Sequence, residues 1–275
     1  MLTRFVPSTK EPLPVIGLGT FRAFDTKLGP GNRDALTEVL RLFFEAGGSL
    51  IDTSPMYGRA EAVIGELLDG ASFQDQAFLA TKVWTSGRRR GIRQMQDSLA
   101  KLRRPSVRLM QVHNLVDCET QLETLRAWKQ DGRIDYIGIT HYTSSAFAEL
   151  ADLLKSHPDI DFSQFPYSIA ARRAEDYFLD LCADTGTATL INRPFEQDGL
   201  FGRVHGAPLP SWAGELGITG WGPFFLKYLL SFDAVTCLIP ATSNPDHMRA
   251  NLAAGTGSMP DAAMRRRMSQ LFDSL

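Results

Sequence analysis

The sequence predicts an α/β fold: a (β/α)8 TIM barrel in a single domain spanning residues 1–275. Three observations predict it. Short apolar runs alternate with helical apolar periods along the chain, eight such runs can be counted, and polar residues of reactive type fall just past their ends. Strand–helix alternation implies right-handed parallel crossovers, and eight units favour closure over an open sheet.

Val15 to Gly19 is the first run. Leu36, Val39, Leu40, Phe43 and Phe44 then lie at i, i+3, i+4, i+7 and i+8, one apolar helix face, and Gly47 and Gly48 end that helix. Ser49 to Asp52 is the second strand. Val63, Ile64, Leu67 and Leu68 form the next helix face, followed by Gly70, and Ala77 to Ala80 read as a strand ending near Lys82. Ile92, Met95, Leu99 and Leu102 mark a helix before the strand Val107 to Val112, which ends at His113. Leu122, Leu125 and Trp128 sit on the following helix, Asp131 and Gly132 end it, and Ile134 to Ile139 form the fifth strand. Phe147, Leu150, Ala151 and Leu154 share a helix face that Ser144 or Ser145 is placed to cap. The strand Ile160 to Gln164 follows. Phe178, Leu181 and Cys182 precede the strand Thr187 to Ile191, and Phe224, Phe225, Tyr228 and Leu229 precede the strand Ala234 to Ile239. Met264, Met268, Leu271 and Phe272 give a last amphipathic helix, expected to pack against the barrel. Residues 192–218, rich in Gly, Pro and polar residues, are long for a connection. A lid or binding loop and a solvated insertion are equally good readings of them.

Composition removes several function classes. A hydrophobic content of 44% supports a sizeable core. Lys+Arg 29 against Asp+Glu 31 gives a net charge of −2, with no global attraction for nucleic acid or an acidic membrane. No apolar run reaches the roughly 20 residues that span a bilayer, and residues 1–5 lack a signal-like stretch. Cys118, Cys182 and Cys237 are scattered and odd in number, a poor disulfide framework and a poor zinc site, and the His residues show no zinc-like spacing. A reducing, cytoplasmic setting, no metal, and a monomer or weak homo-oligomer are the expectations.

In parallel barrels the C-terminal strand ends converge on one face, where active sites sit. Asp52, Tyr57, Lys82 and His113 follow the second, third and fourth strands and should therefore meet. Their chemistry is coherent. A Tyr phenol can protonate an oxyanion, and a neighbouring Lys ammonium lowers its pKa. The ammonium needs a charge partner, for which Asp52 is placed, and His113 can hydrogen-bond a substrate oxygen. Such a site holds a carbonyl and stabilises negative charge on its oxygen, but no side chain supplies a hydride. Taken singly, each residue has an ordinary reading: an Asp after a strand is a turn or cap residue, and a Lys is a solvated surface group. Four together at four barrel positions make coincidence a poor account.

The chain resembles the aldo-keto reductase family. The resemblance rests on GLGTF (17–21), IDTSPMYG (51–58), ATKVW (80–84), MQVHN (110–114), DGRIDYIGIT (131–140), QFPYS (164–168) and IPATSNPDHMRANL (239–252), in the family's order. It implies a (β/α)8 barrel using NADPH, with Tyr57 as general acid supported by Asp52, Lys82 and His113. It also implies cofactor contacts from Gly19, Thr20, Phe21, Thr140, His141, Gln164, Asn192, Arg193, Pro194, Phe195, Ser243, His247 and Asn251. Thr140, His141 and Gln164 stand where the family holds the nicotinamide amide. Asn192 stands where a tyrosine often stacks on that ring, and Arg193 is placed to neutralise the pyrophosphate. Residues 241–249 should wrap the phosphate on the adenosine ribose. Thr242 and His247 replace a common Lys and Arg there, with Ser243 and Arg249 as partial compensation. NADPH is therefore expected to be preferred by less than is usual, with NADH possible. Met56, Trp84 and Asn114 are expected to border the substrate pocket, and the short tail after the last helix implies an open pocket accepting many aldehydes. The chain lacks GxGxxG opening a helix, so a Rossmann mode of binding is not indicated. The expected function is NADPH-dependent reduction of an aldehyde or ketone. A cofactor-binding regulatory or assembly subunit on the same scaffold is the alternative, and a Schiff-base aldolase using Lys82 is a third reading that leaves the family segments unexplained.

Overall fold

A computed structural model describes residues 1–275. Its first two strands, β1 (Thr3–Phe5) and β2 (Pro12–Pro14), form an antiparallel hairpin that the sequence reading did not anticipate. The barrel strands follow: β3 (Leu18–Gly19), β4 (Leu50–Asp52), β5 (Phe78–Val83), β6 (Val107–His113), β7 (Ile134–Thr140), β8 (Phe162–Pro166), β9 (Ala188–Asn192) and β10 (Cys237–Leu238). They pair in chain order and every pair is parallel. The two ends meet through bridges between Ile16 and Leu238 and between Gly19 and Ala241. Three backbone bonds sew this seam: Gly17 N–H to Leu238 O at 2.7 Å, Leu238 N–H to Val15 O at 2.9 Å, and Gly19 N–H to Pro240 O at 3.1 Å. The result is a closed (β/α)8 barrel.

The helices are α1 (Pro30–Glu45), α2 (Ala60–Gly70), α3 (Arg88–Leu102), α4 (Cys118–Gln130), α5 (Phe147–Ser156), α6 (Phe178–Asp184), α7 (Gly199–Arg203), α8 (Trp221–Leu230), α9 (Pro245–Ala254) and α10 (Ala262–Ser274). Leu36, Val39, Leu40, Phe43 and Phe44 of α1 are all buried, as their spacing requires, and Gly47 leaves the helix at φ 83°. Met268 and Phe272 of α10 are buried as expected. Two readings need correction. Ala146, not a serine, precedes α5, and no side chain caps that helix, because Ser144 is drawn into a 3₁₀ turn and Ser145 Oγ pairs with Thr143 Oγ1 at 2.8 Å. Residues 192–218 are not a solvated insertion, because Leu200, Val204, Trp212, Ala213 and Leu216 within them are buried.

Side chains alternate across each strand, and this alternation positions the site. The inward set comprises Leu50, Phe78, Ala80, Leu109, Tyr136, Phe162, Ala188, Leu190, Cys237 and Ile239, one apolar cluster closed from below by Val6 and Leu13 of the hairpin segment. Arg4 of that hairpin donates to the carbonyls of Leu230 and Phe232 at 2.7 Å each, and to that of Val235, tying the floor to the end of α8. Two or four residues further along the same inward faces the side chains turn polar: Asp52, Lys82, Gln111, Gln164 and Asn192 at two, His113 and Thr140 at four. The barrel is thus dry at its floor and polar at its C-terminal mouth.

Candidate active site

Asp52 ends β4 and is 2% exposed, and Lys82, one residue before the end of β5, is fully buried. Lys82 Nζ donates to both carboxylate oxygens of Asp52, at 2.8 and 2.7 Å, and to Thr53 O at 2.7 Å. An ammonium has three donors, so all are used. Asp52 Oδ1 also accepts from Gln111 Nε2 at 3.2 Å and Gln164 Nε2 at 2.8 Å, and Gln164 Oε1 accepts from Thr140 Oγ1 at 3.0 Å. A buried charge survives only when paired and hydrogen-bonded, and here four side-chain donations satisfy one carboxylate. Burial pulls Lys82 below the ordinary range of an amine, and Asp52 opposes that pull.

Tyr57, on the loop after β4, is half-buried. Its ring lies 5.1 Å from Lys82 Nζ, 5.0 Å from the Phe21 ring and 6.1 Å, edge-on, from His113. The expected lowering of the phenol by Lys82 is not what the structure shows. Burial first, and the Asp52 charge second, push the Tyr57 phenol upward. The reason is that the Lys82–Asp52 pair is neutral as a unit and its three ammonium donors are already committed. The resting site therefore keeps Tyr57 protonated.

His113 ends β6, is 5% exposed, and is held down to about 3 by burial, then by Lys82 and His141. It is neutral across the working pH range. Its Nδ1 lies 3.1 Å from Ser54 Oγ, which also accepts the Met56 N–H at 3.3 Å. Trp84 packs 6.1 Å from the His113 ring, and it is exposed at the mouth with Met56 and Phe21. Asn114 adopts φ 52° and buries an Oδ1 that has no partner.

The residues expected to hold a cofactor form a discontinuous rim. Gly19 and Thr20 follow β3, and Thr20 donates through both N–H and Oγ1 to Asp52 O, at 3.1 and 3.0 Å. At Gly19 a Cβ would collide with the carbonyl of Ile239, so only glycine fits beside that strand. His141 stacks on Tyr142 with ring centroids 5.3 Å apart, and its Nδ1 accepts the Thr143 N–H at 3.1 Å. Asn192 Nδ2 donates to His141 O at 3.2 Å, and Arg193, at φ 53°, donates to Tyr142 O at 3.2 Å. Asn192 Oδ1 and Arg193 Nε are buried without partners. Pro194 is buried and Phe195 packs 5.1 Å from Phe201, so these two anchor the loop. Asn244 caps α9 by accepting the Asp246 N–H at 2.8 Å. Ser243 and His247 are exposed beside it, and Asn251 is buried. Arg249 is not free to compensate for missing cations: it pairs with Glu38 at 3.1 Å and Asp246 at 3.0 Å.

The structure brings Asp52, Tyr57, Lys82 and His113 together at the mouth, with Thr140 and Gln164 wired to Asp52. Sequence reasoning missed Gln111 and Ser54. Gln111 was detectable, since a polar residue two before His113 in an apolar strand shares its inward face. Ser54 carried no such signal, because its contact depends on the path of the β4–α2 loop.

Comparison with known proteins gives the family and the fold. Over 191 residues the chain is 28% identical to Aldo-keto reductase YhdN of Bacillus subtilis (strain 168), a match that covers 64% of this chain and 56% of that protein. It is 29% identical over 250 residues to pyridoxine 4-dehydrogenase of Escherichia coli (strain K12), covering 82% of each. The fold matches that of an aldo-keto reductase from Klebsiella pneumoniae, solved in complex with NADPH, with a TM-score of 0.84 at 22% identity over 99% of this chain and 96% of that one. The sequence profile of the aldo/keto reductase family matches residues 15–267, and the chain belongs to that family.

Proposed function

We propose that this chain, as one barrel domain, reduces an aldehyde or ketone to the alcohol with NADPH, using Tyr57 as general acid. The observation that carries the reading is the meeting of a protonated, half-buried phenol, a neutral histidine and a buried Lys82–Asp52 pair at one polar mouth. The rim fits a nicotinamide dinucleotide: Asn192 Oδ1 and Arg193 Nε are buried polar atoms awaiting partners, on side chains that bond the carbonyls of His141 and Tyr142. When bound, that cofactor supplies the hydride. Asn192 and Arg193 would hold it at the nicotinamide and pyrophosphate, and Ser243, His247 and Asn251 at the adenosine end.

The chain's own residues do the rest. Ser54 Oγ lies 3.1 Å from His113 Nδ1, and in the tautomer in which it donates a hydrogen bond there the neutral ring carries its proton on Nε2, where it can donate to the carbonyl oxygen. Tyr57 passes its phenolic proton to the same oxygen as negative charge develops there. At neutral pH Tyr57 holds the proton that reduction needs, whereas alcohol oxidation needs the phenolate, which a phenol pushed upward leaves scarce, so reduction should outrun oxidation.

The test is NADPH consumption with a panel of aldehydes, wild type beside Tyr57→Phe. Turnover should fall by roughly 10²–10⁴ in the variant while NADPH binding, read by fluorescence titration, persists. Undiminished turnover removes Tyr57 from the mechanism, and NADPH binding without turnover of any carbonyl moves the assignment to a cofactor-binding regulatory subunit. The same titration checks cofactor choice. Arg249 is committed to two carboxylates, so NADPH should bind more tightly than NADH by only a modest margin, and equal affinities refute the preference.

A further inference from the structure

Beside the mouth, between α3 and the β4–α2 loop, lies a cleft of about 310 Å³ that no step above uses. Arg90, Arg93, Gln94, Asp97 and Lys101 line one wall. Their spacing of three and four residues places them on a single face of α3. Three cations face one acid, although the chain as a whole carries a net charge of −2. Lys101 has Glu61 at 3.8 Å, whereas Arg90 and Arg93 form no ion pair, although Asp117, which accepts the Gly87 N–H at 2.6 Å, lies near enough for the Arg90 charge to help lower its carboxyl. Arg90 Nε is fixed on Ser86 O at 2.6 Å, which leaves its terminal nitrogens free. The first turn of α3, Arg88-Arg89-Arg90, contains no acidic residue, the reverse of what a helix dipole favours.

The cleft is also physically joined to the catalytic mouth. Gln94 Oε1 accepts the Trp84 N–H at 2.5 Å, and Gln94 Nε2 donates to Trp84 O at 3.3 Å. Pro55, on the opposite wall, directly precedes Met56 and Tyr57. Trp84 thus packs its ring 6.1 Å from His113 and is bonded through its backbone to the wall that carries the guanidinium groups.

We propose that this cleft is a subsite for an anionic group on the substrate, a carboxylate or phosphate carried at the end remote from the carbonyl, and that the preferred substrates are anionic aldehydes with an apolar middle. Planar guanidinium forks suit such groups, which they hold through paired hydrogen bonds. The proposal rests on the reductase reading above and names the substrate class of the same site.

The experiment compares benzaldehyde with para-carboxybenzaldehyde, and 4-methoxybenzaldehyde with 4-formylphenyl phosphate, on wild type and on Arg90→Gln/Arg93→Gln. Arg88→Gln/Arg89→Gln removes the same charge from α3 outside the cleft and serves as control. The anionic member of a pair should show a KM about tenfold lower in the wild type, an advantage lost in the cleft variant and kept in the control, with the neutral member unmoved. The two pairs separate a carboxylate from a phosphate. Equal effects on charged and neutral aldehydes, or equal effects of both variants, overturn the subsite. If the wild type reduces none of the four, the reductase reading fails separately, and calorimetry with terephthalate and inorganic phosphate decides the subsite. Saturable binding lost in the cleft variant supports it. Absent binding, or binding that survives the variant, overturns it.

Discussion

Asp52 gathers two bonds from Lys82 and one each from Gln111 and Gln164 into a single carboxylate. Removing one partner of a buried pair leaves an uncompensated charge and typically costs ~3–5 kcal/mol. Lys82→Met should show a loss of that size in urea denaturation, and a loss below about 1 kcal/mol contradicts the pairing. His113 makes a separate prediction through pH. Its pKa is depressed to about 3 in the folded chain, against about 6.5 for a free histidine. Above pH 6.5 both states are neutral and the group is silent. As pH falls below 6.5 the unfolded chain binds the proton first, so stability is lost progressively down to about 3. Between pH 7 and 5 the wild type should lose up to about 2 kcal/mol more than His113→Gln, measured by denaturation at both pH values. Equal losses would show that His113 binds its proton in the folded protein as readily as in the unfolded chain. At this scale the sequence named Asp52, Tyr57, Lys82 and His113 correctly as neighbours but misjudged the phenol. Proximity of Lys82 suggested a lowered pKa, and only the geometry shows that the ammonium is spent on Asp52 and Thr53.

Strands carry the site because their inward faces change character along their length. On β6 Leu109 is inward and apolar, and Gln111 and His113 above it are inward and polar. On the neighbouring β7, Gly138 faces Gln111, and a Cβ there would lie 2.8 Å from Gln111 Cγ. Gly138→Ala must displace Gln111 from Asp52. The expected cost is about 1–3 kcal/mol of stability, together with reduced turnover in a chain that still folds. Unchanged turnover would separate Gln111 from the working site. The strands and the longer helices were legible from apolar spacing, with boundaries shifted by one to three residues where an inward polar residue interrupts the apolar run. Such interruption explains why β5 continues through Lys82 to Val83 and β8 through Gln164 to Pro166. The hairpin β1–β2 was not legible: Thr3–Phe5 and Pro12–Pro14 are too short and too mixed to show alternation, and they become strands only by pairing with each other. The packed helical pieces within 192–218 were hidden by the Gly and Pro around them.

At the scale of the whole molecule, the circle of strands has unequal joints. The β6–β7 joint aligns six residue pairs, whereas β3 and β10 each contribute two residues and meet through two isolated bridges. The joint that closes the barrel also unites the two most distant stretches of the barrel-forming chain. Closing so long a loop carries the largest entropy cost of any contact in the sheet, and its rungs are few. The closing joint should therefore be the last to form and the first to open. In native-state hydrogen exchange the amides of Gly17, Gly19 and Leu238 should exchange through local opening, well ahead of Met110 and Val112 in β6, which wait for global unfolding. Simultaneous exchange of both sets would mean a barrel without a weak joint. Because Gly19 and Thr20 sit on that joint and Thr20 clasps the Asp52 backbone, each opening also slackens the corner that holds the Asp52–Lys82 pair. A ligand lying across the rim would act as a rivet, binding the first and last strands of the barrel into one ring and slowing exchange there before anywhere else.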